Sequence, residues 1–336
     1  MSIFQDELTS ERATIRIGGK IMARKFYVIT RLYNVNDRLA SLYLSNRIDS
    51  FIDEGHLPDF IHNYLPYRDS NAVLDPNDPN YGQNIFDLDV QNMRENCSGI
   101  IGNFDGVGYD SGCAFEVGFA YSLGYPVNLI TTDYMRWSVG DSEEFYTISK
   151  LMEHVANVVD IREEDETITG YQEQQEDLRD RNIEALKVNL INDFGTIKEP
   201  VPIEALPIEY DFYLDPNFKY TESGRNLLNE ISAMITSMNK TYIVGDNQGD
   251  IEAEITRFRS SGQSIMFVDP FEPNVDSGIL GGLAYGIGRP AILYCSNMQH
   301  YNDGYLTSFK NLMCRYGAAS IATSLSELET QIQQLQ

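Results

Sequence analysis

Asp110-Ser-Gly-Cys-Ala-Phe-Glu-Val-Gly-Phe-Ala-Tyr-Ser-Leu-Gly-Tyr-Pro-Val-Asn-Leu-Ile130 is the stretch from which the fold is read. A short carboxylate, Asp110, stands where it can cap a helix. The following run, Gly112 to Leu123, is helical in pattern and stops at Gly124. Its small residues, Gly112, Ala114, Gly118 and Ala120, let that helix lie close to a neighbouring backbone or a ligand. Pro126 to Thr131 is then a strand, and Gly99 to Phe104 is the strand before the helix. Working outward, Lys25 to Thr30 is an apolar β-rich run. Asn36 to Glu54 carries Leu39, Leu42, Leu44, Ile48, Phe51 and Ile52 at helical spacing, with Gly55 as a stop. Leu57 to Gln83, rich in Pro, Asn, Asp and Tyr, reads as a long loop. Ile85 to Glu95 and Glu143 to Val158 read as helices. The charged stretch 162–192, with Leu178, Ile183, Leu186 and Leu190, reads as a surface helix closing the domain. Strands alternating with helices predict an α/β fold built on a doubly wound parallel sheet, with ligands beyond the carboxyl ends of its strands.

The pattern then recurs. Lys198 to Pro207 holds three prolines and reads as a stiff linker, and a second α/β pattern begins near Tyr210. Asp276-Ser-Gly-Ile-Leu-Gly-Gly-Leu-Ala-Tyr-Gly-Ile-Gly-Arg-Pro-Ala-Ile-Leu-Tyr294 parallels the opening stretch. Both follow a strand ending near an aspartate (Asp105, Asp269), and both run Ala-Tyr-x-x-Gly-x-Pro into a strand. Aligning on Asp-Ser-Gly puts Gly282 opposite Glu116, and aligning on Ala-Tyr puts Leu280 there. Either way the second copy has no carboxylate at that place. The expected organisation is a lead-in over 1–24, a domain over 25–195, the linker over 196–209, and a degenerate, non-catalytic copy over 210–336. A fold duplicated in tandem is the preferred reading, with chance similarity of two strand–helix–strand units as its competitor.

With 336 residues, 42% hydrophobic and 22% charged, the chain is long enough for two ordinary domains. No apolar run reaches the length that spans a bilayer, and the acidic N-terminus lacks a signal-peptide pattern; the expected location is the cytoplasm. Cys97, Cys113, Cys295 and Cys314 are scattered, as for reduced buried thiols. His56, His62, His154 and His300 show no ligand spacing, so no metal is expected. A formal net charge of −25 repels phosphate backbones and argues against a nucleic-acid partner. It leaves neutral small molecules open and disfavours multiply charged ones.

The chemistry sits between Asp110 and Glu116. Read bare, the string is an N-capped helix with a solvated glutamate, a reading that fits most such strings. Other sites have equally plain readings: Asp89 as a helix cap, Tyr27 as core, Asp133 as a turn residue, Arg68 with Asp69 as a surface ion pair. Cys113, near a helix N-terminus with no histidine placed beside it, is not read as a nucleophile.

Taken together, these residues resemble the nucleoside 2-deoxyribosyltransferase family, over roughly residues 25–158. The carrying motifs are the Asp-x-Gly and Glu-x-Gly-x-Ala helix start closing with Gly-x-Pro-Val, Phe26-Tyr27-Val28, Leu65-Pro66-Tyr67-Arg68-Asp69, Asp89, and Thr132-Asp133-Tyr134-Met135-Arg136. Thr30-Arg31-Leu32-Tyr33 departs from the family's turn after the first strand, and Cys113 replaces a smaller residue.

The resemblance implies a flavodoxin-like fold and double displacement at an anomeric carbon. Glu116 is implied as nucleophile and Asp89 as the group meeting the base. Asp110 is implied to assist protonation or hold sugar hydroxyls, Tyr27 to orient Glu116, and Asp133 to meet the 5′ end of the sugar. Tyr33, Arg68, Asp69 and Gly112 complete the substrate-binding set. No cofactor is implied. The partners expected are a nucleoside or nucleobase, with a pseudo-dimer inside the chain and further homo-oligomers open.

Three functions follow as expectations. The first is 2-deoxyribosyl transfer between bases. The second is hydrolysis of a (deoxy)nucleoside or its 5′-monophosphate by the same fold. The third is a non-catalytic nucleotide-binding or scaffold role. Ser70 and Arg68 are the only hints of a phosphate pocket, which favours the nucleoside.

Overall fold

The computed structural model describes the chain except residues 1–13, 18–19, 24, 32–34, 58–61, 71, 106–109, 134–135, 137, 139–143, 195–199, 269–273, 296–310 and 335–336. Two compact units result. One comprises Met1–Val107, Tyr125–Tyr134 and Ala156–Val201, the other Gly108–Gly124, Met135–Val155 and Pro202–Gln336.

The lead-in forms an antiparallel ribbon, β1 (Thr14–Ile17) with β2 (Lys20–Ala23). The order is then β3 (Lys25–Ile29), α1 (Val35–Asp53), α2 (Pro66–Asp69), α3 (Tyr81–Glu95), β4 (Cys97–Asn103), α4 (Ser111–Ser122), β5 (Val127–Ile130), α5 (Lys150–Val155), β6 (Asn157–Val159) and α6 (Tyr171–Phe194).

In the first unit β3, β4, β5 and β6 form a wholly parallel sheet in that order. Tyr64 extends it past β3 by one parallel bridge: Val28 N–H donates to the Tyr64 carbonyl and Tyr64 N–H to that of Phe26, both at 2.9 Å. Counting Tyr64 as a vestigial second strand, the winding is 2-1-3-4-5, with its reversal between β3 and β4. One face carries α1 and α6, which bring Leu44, Ile48, Phe51, Ile183, Leu186 and Leu190 onto Phe26, Val28, Ile101, Ile130 and Val159. The burial of Phe26–Ile29 in β3 and of all four residues of β5, Asn128 included, is that of strands covered on both faces.

Three expectations are corrected here. The helix expected over Glu143–Val158 is confined to Lys150–Val155, and Asn157–Val159 is the last strand of the sheet. The β-branched Val158 and Val159 gain more by pairing with β5 than by a further helical turn. The expected loop from Leu57 to Gln83 also holds structure, the Tyr64 bridge and α2. Pro66 opens α2 at a position that needs no N–H, and the Asp69 carboxylate takes the Leu65 N–H at 2.8 Å. Helix α3 starts at Tyr81 rather than Ile85, on a turn closed by Tyr81 N–H to the Asp78 carbonyl.

The second unit has a parallel sheet ordered β11-β10-β9-β7-β8, from β7 (Tyr210–Leu214), β8 (Tyr242–Val244), β9 (Ser261–Phe267), β10 (Ala291–Tyr294) and β11 (Ser320–Ala322). Its winding is again 2-1-3-4-5. The helices are α7 (Glu222–Ser237), α8 (Ile251–Arg259), α9 (Val275–Gly286), α10 (Leu312–Gly317) and α11 (Leu325–Gln334). Helices α7 and α11 cover one face through Ile231, Ile235, Leu328 and Ile332, as α1 and α6 do in the first unit. Both sheets are parallel throughout with helices interleaved, as a doubly wound α/β fold requires.

The strand–helix–strand segments β4-α4-β5 and β9-α9-β10 match residue for residue. Cys97–Asn103, Ser111–Ser122 and Val127–Ile130 become Ser261–Phe267, Val275–Gly286 and Ala291–Tyr294, each displaced by 164 positions. Gly124 and Gly288, at φ 72° and 71°, keep the displacement and end their helices in the left-handed region. The two alignments left open by the sequence are thereby separated. The Ala-Tyr register holds, Leu280 stands opposite Glu116, and Asp110 corresponds to Asn274.

Helix α4 belongs to the second unit and packs on α9 backbone to backbone. A methyl on Gly118 would collide with the Ile279 carbonyl oxygen, and one on Gly282 with that of Phe115. Under the displacement of 164 these two contacts are images of one another. Gly278 meets Ala114 and Gly286 meets Ser122, so contacts advance together along both helices, which run parallel and in register. Eleven of the twelve residues of α4 are buried, which explains its lack of a polar face.

Candidate functional site

Within the first unit the structure gathers Asp89 with two hydroxyls. Asp89 is 3% exposed on the buried stripe of α3. Its Oδ1 accepts from Tyr64 Oη and Ser70 Oγ, each at 2.9 Å, and those hydroxyls stand 2.8 Å apart. Burial pushes its carboxyl up to about 6, against the pull of the two hydrogen bonds. Burial, with the charge of Asp89, also raises the Tyr64 phenol. The fully buried Tyr27 ring packs on that of Tyr64 at 5.5 Å between centroids. Asp89 lies nine residues inside its helix, so the reading of it as a mere cap is set aside.

Arg68 and Asp69 do form the ion pair of their plain reading: Nε donates to Asp69 Oδ1 at 2.7 Å and Nη2 to Oδ2 at 2.9 Å. Nη2 also reaches the Asn63 carbonyl at 2.7 Å, so the pair staples α2 to the chain before it. Beyond the carboxyl ends of β4 and β5, Asp105 accepts from Thr131 Oγ1 at 3.1 Å and from Thr132 N–H and Oγ1 at 2.5 and 3.0 Å. Arg31, just past β3, donates to the Asp105 carbonyl at 2.8 Å. Asp133 follows this knot, its N–H 3.4 Å from Thr131 Oγ1. Tyr33 lies outside the described residues.

Within the second unit, Asp110 caps α4. Its Oδ1 accepts from Gly112 N–H at 2.7 Å and Cys113 N–H at 3.2 Å. A third donor comes from far along the chain, Asn311 Nδ2 at 2.8 Å. Asn311 itself caps α10, accepting from Cys314 N–H at 3.2 Å, and the Cys314 thiol donates to the Ser111 carbonyl at 3.4 Å. All three donors converge on Oδ1, and among the described residues no donor meets Oδ2. Gly112 has its α-carbon against Asn311, where a side chain would displace the amide. Glu116, six residues on, is 6% exposed. A solvated glutamate, the bland reading of the string, does not fit that burial.

Asn311, Tyr64 and Ser70 thus join residues named from the sequence, and only Ser70 drew notice there. A strand one residue long leaves no alternation to read at Tyr64. Asn311 lies 201 residues from Asp110, beyond any local pattern. Among the described residues no group of three or more His, Cys, Asp or Glu is placed to hold a metal ion. No described helix is long and apolar enough to cross a membrane.

Residues 42–180 match the family model described as Nucleoside 2-deoxyribosyltransferase, a span that contains Asp89, Asp110, Glu116 and Asp133. No curated protein matches the chain.

Proposed function

We propose that this nucleoside 2-deoxyribosyltransferase-type segment moves 2-deoxyribose between nucleobases through a covalent ester on Glu116. The observation that carries the reading is the burial of Glu116 in a helix of small residues, on a segment that matches the family. In this reaction the carboxylate attacks C1′ and the C1′–N bond breaks as the base leaves with a proton; a free second nucleobase then attacks C1′, breaking the ester to Glu116 and giving up its N–H proton. Asp89, whose raised carboxyl is protonated over a wider pH range than an ordinary aspartate, supplies or shares the proton at the departing base. Asp110, pinned by three donors at Oδ1, offers Oδ2 to a sugar hydroxyl. Tyr27 supports the Asp89 group through Tyr64, and Asp133 meets the 5′ end of the sugar.

The substrate class proposed is the free nucleoside. Ser70 is committed to Asp89, and Arg68 to Asp69 and the Asn63 carbonyl, so the two residues that hinted at a phosphate are engaged elsewhere. The second half is proposed to be a duplicate that stands in for a second subunit. Matching segments at a constant displacement support this, as does the gift of Asn311 to Asp110.

Incubation with deoxyinosine and adenine tests the reaction. Deoxyadenosine should form, and Glu116→Ala should lower turnover by at least a thousandfold, on the order of 4 kcal/mol in the barrier. Free deoxyribose alone would make the protein a hydrolase. Nucleoside binding unaffected by Glu116→Ala, without turnover in either protein, would make it a binding module.

A further inference from the structure

The register between the halves places Asp276 where the first half has Gly112, at the first turn of the central helix. In the first half that turn holds a glycine, whose N–H donates to Asp110 Oδ1. In the second it begins with a carboxylate that is itself buried. Asp276 is 5% exposed; it accepts from Ser149 Oγ at 2.6 Å and from Asn247 Nδ2 at 3.1 Å.

Around it the second crevice is occupied by its own side chains. Asn247 Oδ1 accepts from the Tyr220 hydroxyl. Asp215, at the end of β7, accepts from Ser277 Oγ, from Asn217 N–H and Nδ2 at 2.9 and 2.7 Å, and from Phe267 N–H at 3.0 Å. Each of these groups has its partner inside the crevice. A binding site, by contrast, leaves polar groups for its ligand to satisfy.

Ser149 adds a further sign. It caps α5, accepting from Met152 N–H at 3.0 Å, as Asn311 caps α10. Each half therefore lends the cap of its short helix to the carboxylate at the head of the other's central helix: Asn311 to Asp110, and Ser149 to Asp276. In one crevice the receiving carboxylate has, among the described residues, all its donors on one oxygen. In the other both Asp276 oxygens are taken, Oδ1 by Ser149 and Oδ2 by Asn247.

We infer that Asp276 is an internal occupant of the second crevice, filling the place that a sugar hydroxyl takes in the first, so that the chain binds one nucleoside and not two. The ligand named in this inference rests on the reading given under Proposed function; the closure itself rests on the geometry alone.

The test is equilibrium dialysis of deoxyadenosine against full-length Glu116→Gln protein, chosen to remove turnover, and against Glu116→Gln/Asp276→Gly. One nucleoside per chain in the first and two in the second are expected. Two in the first overturns the inference, and one in both overturns Asp276 as the occupant. Hydrogen exchange covers the case in which neither protein binds, an outcome that would sink the nucleoside reading. The Asp215-bonded amides of Asn217 and Phe267, with Ser277 at the head of α9, should exchange only through global unfolding in the unmutated chain. Exchange there at the rate of exposed loops overturns the closure, whatever the first crevice binds.

Discussion

Asp89 shows how one buried carboxyl ties stability to acidity. Its folded-state pKa of about 6 lies above the ordinary 3.8, so ionising it opposes folding. The stability it permits is fully present below about pH 4, declines as pH rises toward about 6, and stays lower above that. Asparagine keeps the acceptor for Tyr64 and Ser70 and removes the charge. Asp89→Asn is therefore expected to gain on the order of 3 kcal/mol over wild type at neutral pH and nothing near pH 3.5. Urea unfolding of both proteins across that range checks it, and Asp215, which burial also raises to about 6, cancels in the difference. The same group predicts kinetics: if Asp89 delivers the proton, kcat/KM falls as pH passes about 6 and that limb disappears in Asp89→Asn. A profile that keeps the limb in the variant would assign the proton elsewhere.

At the scale of elements the α4–α9 pair gives the sharpest contrast, because neighbouring glycines have opposite surroundings. Gly282→Ala drives a methyl into the Phe115 carbonyl and should cost about 2–4 kcal/mol. Gly281→Ala places its methyl 3.6 Å from the Phe115 ring, an ordinary contact, and should be neutral or stabilising by up to about 1 kcal/mol, since alanine is the better helix former. Denaturant midpoints of the two variants decide it; equal effects would mean the helices do not pack in this register.

The elements also mark how far the sequence could be read. Strands β3, β4 and β5 and helices α1, α4 and α6 announced themselves through apolar runs and periodicity, and Gly55 and Gly124 through their stops. Segment 143–159 did not, because α5 is six residues long and gives way at once to a short edge strand. Neither carries enough turns or alternations to show a period. Asp89, Asp110 and Glu116 could be named in the sequence through the family's spacing, but the groups that bond Asp89 and Asp110 could not. A tyrosine acting as a strand and an asparagine two hundred residues away leave no trace in local pattern.

For the whole molecule, chain order and spatial grouping disagree in an informative way. Helix α4 lies between β4 and β5 in sequence yet groups with the second half, as does α5. Neither unit can lose its structure without pulling on segments of the other, so thermal or denaturant unfolding should show one cooperative transition. Two well-separated transitions by fluorescence and calorimetry would contradict this. Removing residues 202–336 should leave α4 with its buried faces bare and the remaining chain prone to aggregate. The net charge of −25 adds a salt effect: self-repulsion is screened as ionic strength rises, so Tm should climb between about 20 mM and 500 mM sodium chloride.

The crossed caps have a genetic corollary. When two identical chains pair symmetrically, any change in one crevice is copied into its twin, and an inactivating substitution silences both. Here Asn311 and Ser149 are encoded at separate places in one gene, so mutation can alter the head of α9 while leaving that of α4 untouched. Under the proposed duplication, Leu280 and Asp276 are changes that such freedom would permit in one half while Glu116 and Gly112 stand in the other.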